Sequence, residues 1–79
     1  SWILYDRSEM KKVIILLPVY NDWESLSKVL EEINSVISNI QKYEFECIIV
    51  NDSSTIEKPN IIKPKNFNSL KIINMKEPE

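Results

Sequence analysis

Two apolar runs limit what this chain can fold into: residues 13–19 read VIILLPV and residues 47–50 read CIIV. Each stops abruptly in polar and acidic side chains, Tyr20-Asn21-Asp22 after the first and Asn51-Asp52-Ser53-Ser54-Thr55 after the second. Short unbroken runs rich in Val and Ile suit strands buried on both faces, as parallel strands covered by helices are. Between them, Trp23, Leu26, Leu30, Ile33, Ile37 and Ile40 trace one stripe at helical spacing, which predicts a helix over about residues 22–41. Asn21 followed by Glu24 has capping-box spacing, and Asp22 and Glu24 suit the positive end of the helix dipole. Strand, helix and strand in that order make a right-handed βαβ unit with parallel strands.

A third strand is expected over residues 70–75. Residues 53–69, carrying Pro59 and Pro64, read as an irregular connection. The expected fold is therefore α/β, a three-stranded parallel sheet fragment in the order β-α-β-loop-β. In open sheets of this kind ligands bind outside the carboxyl ends of the strands, so Tyr20, Asn21, Asp22 and Asp52 are expected around one crevice.

One amphipathic helix covers only one face of such a sheet. A second layer is expected from residues after Glu79, from a partner chain, or in part from Trp2, Ile3, Leu4 and Tyr5, and the chain is expected to be a homo-oligomer or to need the remainder of its domain. With 79 residues there is room for one domain, burying only about 60% of the surface its unfolded chain exposes. Met10-Lys11-Lys12 resembles a natural chain start, which makes residues 1–9 an N-terminal extension, native or vector-derived, ahead of an incomplete domain over residues 10–79.

A net charge of -2 and a pI near 5.1 offer no basic footprint for nucleic acid. The longest apolar run falls far short of the ~20 residues that span a bilayer. Cys47, alone and without any histidine to activate it, reads as a small buried hydrophobe in a reducing compartment. Glycine is absent, which removes the Rossmann dinucleotide fingerprint and the P-loop. Triads and thiolate metal sites fail for want of histidine and cysteine, and Asp6, Asp22 and Asp52 form no Asp-x-Asp pair. What remains is a binding edge without a catalytic centre.

Pro18-Val19-Tyr20-Asn21-Asp22 resembles the P-V-Y-N-E segment that ends the first strand of family 2 glycosyltransferases of the GT-A, Rossmann-like fold. Ile49-Val50-Asn51-Asp52-Ser53-Ser54-Thr55 resembles their V-D-D-G-S-T segment, at the separation one helix fills. The chain departs from the family pattern with Asp22 for Glu, Asn51 for the first Asp, and Ser53 for Gly, where a positive φ would strain serine.

The resemblance implies the N-terminal portion of an enzyme that moves a sugar from a UDP- or GDP-type nucleotide-diphosphate donor to an acceptor. Tyr20 would lie against the base and Asp52 would accept from a ring N–H, with Pro18, Asn21, Asp22 and Ser53 completing the nucleotide-binding rim. Mg or Mn is expected for the full-length enzyme, held by an Asp-x-Asp absent here, so this segment is expected to bind no metal and to be inactive alone. The location implied is cytoplasmic, or the cytoplasmic face of a membrane through the parent chain. Two rivals stand beside this reading: a non-catalytic assembly module that oligomerises through an uncovered sheet face, and a receiver-like domain, which would need more carboxylates at its edge than Asp22 and Asp52.

Overall fold

The computed structural model describes residues 10–76; the extension over residues 1–9, with Trp2, Ile3, Leu4 and Tyr5, lies outside them. Its elements are β1 (Lys11–Val19), α1 (Trp23–Ile37), β2 (Tyr43–Asp52) and β3 (Ser69–Met75). The strands form a three-stranded sheet in the order β1-β2-β3, with both pairs parallel. Leu17, Ile49 and Ile72 stand in one row and Val19, Asn51 and Asn74 in the next but one, so the polar residues after each apolar run emerge at a common edge.

Alternation along the strands sorts the side chains into two unlike faces. Phe45, Cys47 and Ile49 of β2 are buried with Val19, Trp23, Leu26, Leu30, Ile37 and Phe67, while Val13, Ile15, Leu17, Leu70 and Ile72 pack against them half-buried. The opposite face is bare: Ile14 is 57% exposed, Leu16 61%, Ile73 40% and Met75 51%. At its lower margin Lys12 and Glu46 approach to 4.0 Å, an exposed ion pair of small energetic weight. The one helix therefore covers one face, as the face accounting requires.

The helix ends at Ile37 rather than near Gln41. Ser38 turns its hydroxyl onto the Ser35 carbonyl at 2.6 Å, and the next bonds, Asn39 N–H to Val36 O and Ile40 N–H to Ile37 O, are three-residue steps that tighten and close the last turn. Ile40 is left 42% exposed, and Lys42, at φ 71°, swings the chain into β2. That strand begins four residues before its apolar run, because Tyr43, Glu44, Phe45 and Glu46 alternate, Phe45 facing the core and both glutamates the bare face. Residues 53–68 are irregular, as their prolines require, yet Phe67 from this segment is 1% exposed. Two bonds strap the segment to the helix: Asn66 N–H to Asn34 Oδ1 at 2.8 Å and Asn66 Nδ2 to Asn34 O at 3.0 Å. The Lys63 ammonium adds donation to the Pro64 and Phe67 carbonyls.

Candidate functional site

The carboxyl edge is built by the turns after β1 and β2. The chain leaves β1 through two successive γ-turns: Asp22 N–H reaches Tyr20 O at 2.7 Å across Asn21, and Trp23 N–H reaches Asn21 O at 3.0 Å across Asp22. Asn21 has φ 62°, which makes the first of these the rare, strained form. Asparagine tolerates this region better than most residues.

Asp22, not Asn21, caps α1. Its carboxylate accepts from Ser25 N–H at 3.1 Å, and Ser25, through hydroxyl and backbone, holds the Asp22 carboxyl below its ordinary range, with Lys28 adding a little. Because the folded value lies below the unfolded one, the cap's contribution is complete above pH ~4 and is lost as the pH falls through the lower, folded value. Asp22→Asn keeps an acceptor but cannot titrate. Its thermal midpoint should therefore match wild type in strong acid, fall behind as pH rises towards ~4, and stay behind by a constant margin above it, a divergence readable by circular dichroism.

Asn21 instead turns its side chain across to the other loop. Its Oδ1 accepts from Thr55 N–H at 2.7 Å and Ile56 N–H at 2.9 Å, while Nδ2 donates to Thr55 Oγ1 at 3.2 Å. Its backbone N–H donates to Ser54 Oγ at 2.9 Å. These partners carry no signal in the local sequence, since they lie more than thirty residues away. Capping-box spacing gave the same carboxamide a nearer use; the structure does not make it.

Asn51, where the family pattern has Asp, accepts from Ser54 N–H at 3.1 Å and donates through Nδ2 to Asn74 Oδ1 at 3.0 Å. An aspartate at 51 would set acceptor against acceptor unless Asn74 turned its amide over. Ser53 has φ 59°, so the position does require the left-handed conformation that glycine adopts without strain. Its hydroxyl recovers part of that cost by donating to Met75 O at 3.0 Å.

Tyr20, 60% exposed, and Asp52, also exposed, follow directly on the row that pairs Val19 with Asn51, at the ends of neighbouring strands. A cleft of about 220 Å³ opens on the outer side of β1, lined by Pro18, Tyr20 and Asp22 together with Ser25 and Val29 of α1. Asp52, Asn21 and Ser53 are not in its wall. The volume falls below the ~300–1,000 Å³ of whole small-molecule sites and has room for a ring rather than a nucleotide sugar.

Among the described residues no group of three or more His, Cys, Asp or Glu side chains gathers that could hold a metal ion. Cys47, free and 1% exposed, has its thiol pushed up by burial and stands far from nucleophile chemistry. Among the described residues no helix is long and apolar enough to cross a membrane.

No curated protein and no solved structure matches the chain. The model of Glycosyl transferase family 2, however, matches residues 14–78, from the first strand through both strand-end segments and β3. That match spans most of a chain whose sheet is a parallel β-α-β-β arrangement, and the chain belongs to glycosyl transferase family 2.

Proposed function

We propose that the carboxyl edge of this chain binds the nucleotide of a UDP- or GDP-type sugar donor. Tyr20 supplies a flat wall for the base and Asp52 an acceptor for a ring N–H; Pro18, Asn21, Asp22 and Ser53 complete the rim. The observation that carries the reading is the parallel pairing of β1 with β2, which brings the Tyr20 and Asp52 positions to the same edge of adjacent strands. A carboxylate is an acceptor-only group that matches an imide N–H, and stacking on an aromatic ring is worth roughly 1–3 kcal/mol per base.

Sugar transfer belongs to the complete enzyme. A divalent ion such as Mg or Mn, offsetting diphosphate charge, and the base acting on the acceptor hydroxyl would come from residues other than these, so the chain by itself transfers no sugar. A cytoplasmic setting fits the free, buried Cys47.

Calorimetric titration of the chain with UDP and GDP tests the site. Tyr20→Ala and Asp52→Ala should each weaken binding by roughly 10-fold or more, the loss of one stacking partner or one charge-assisted hydrogen bond. Equal, negligible heats in all three proteins would remove the assignment and leave the fold standing.

A second reading draws on the bare face with Ile14, Leu16, Ile73 and Met75: an assembly module that pairs this face with another copy. A monomer in sedimentation that also unfolds cooperatively at high temperature would dismiss it.

A further inference from the structure

We infer that Asn21 is the positioning residue of this edge: its carboxamide clamps the loop after β2, and through that loop fixes where Asp52 stands relative to Tyr20. The clamp rests on the geometry alone; its consequence for ligand rests on the nucleotide reading above. Three successive amides at the start of the loop, at Ser54, Thr55 and Ile56, donate to side-chain carboxamide oxygens of Asn51 and Asn21. Side chains, not a strand ladder, therefore set the loop's shape. Asn51 secures its start from within β2, and Asn21 secures the next two residues from another element 34 residues away. Asp52 and Ser53 lie between these two anchors.

The strained γ-turn at Asn21 points the same way. A left-handed, non-glycine residue persists only where its surroundings over-determine it, and such positions gather at functional edges. Here five hydrogen bonds to residues 54–56 supply that determination. The same turn carries Tyr20 on one side and Asp22 on the other, so one carboxamide couples the aromatic ring to the carboxylate across the edge.

The test is amide exchange by NMR on the 79-residue chain, with a UDP titration of the same samples. Asn21→Ala and Asn21→Gly remove the carboxamide, and Gly also relieves the strain, so it serves where Ala fails to fold. In both, Thr55 and Ile56 amides should exchange about 10-fold faster or more while those of Cys47 and Ile49 keep their wild-type rates. The UDP dissociation constant should rise about 10-fold. Asn21→Asp keeps both acceptances and loses only the Nδ2 donation, and should restore protection and affinity to within about 3-fold.

Wild-type exchange at Thr55 and Ile56 in the Gly variant would overturn the clamp. Uniformly faster exchange throughout the sheet would reduce Asn21 to a general stability residue and overturn the positioning role, as would a freed loop with unchanged UDP affinity. If the wild-type chain binds no UDP or GDP while the exchange pattern holds, the nucleotide reading falls and the clamp stands.

Discussion

Ile49→Ala is expected to remove most of the chain's stability and bring it to the edge of unfolding at room temperature. Ile49 is 0% exposed at the middle of the central strand, between Leu17 and Ile72. Truncating such a residue costs about 2–5 kcal/mol, the lost transfer energy plus the cavity left behind. At ~0.05–0.15 kcal/mol per residue a chain of this size holds roughly 4–12 kcal/mol, and a sheet covered on one face belongs at the low end. Ile49→Val, at about 0.5–1.5 kcal/mol, should remain folded. Leu16→Ala, on the bare face of β1 at 61% exposure, should cost less than about 1 kcal/mol. Urea unfolding followed by circular dichroism compares all three. A Leu16→Ala loss equal to that of Ile49→Ala would mean that something covers the outer face in solution.

Phe67→Ala should be nearly as damaging, at about 3–5 kcal/mol, although the residue belongs to no helix or strand. At 1% exposure its ring joins the core from a connection where a helical crossover would ordinarily supply the covering side chains. Asn66 tied to Asn34, and Lys63 donating to the Phe67 carbonyl, hold the backbone that delivers it. Phe67→Leu fills most of the space and should lose less than about 1.5 kcal/mol. Ile62→Ala in the same segment, 78% exposed, should leave the thermal midpoint unchanged. A Phe67→Ala midpoint indistinguishable from that of Ile62→Ala would show that the irregular segment contributes nothing to the core.

Much of this fold was legible because the decisive signals are local. Apolar runs marked three strands and the stripe from Trp23 to Ile37 marked the helix, and their order forced parallel pairing. The stripe over-ran its end because Ile40 continues the period while Ser38 and Asn39 close the last turn against it. The first half of β2 was hidden because its alternation of aromatic and glutamate side chains is not an apolar run. Phe67 was lost inside a proline-marked connection, since a single anchor has no period to reveal it. At the edge, Tyr20 and Asp52 were legible as positions, because strand ends fix them. The use of Asn21 was not: a carboxamide beside a helix start satisfies a cap as readily as a distant loop, and only the folded chain brings Thr55 and Ile56 within reach.

The two asparagine moorings of the β2 to β3 connection, Asn21 upstream and Asn34 downstream, leave residues 57–60 exposed between them. Lengthening a tether whose ends are already pinned is thermodynamically mild, about 0.6 kcal/mol for each doubling. A tag or reporter peptide spliced between Lys58 and Pro59 would accordingly ride outside the sheet, leaving both the packed layer and the turns after β1 and β2 as they are.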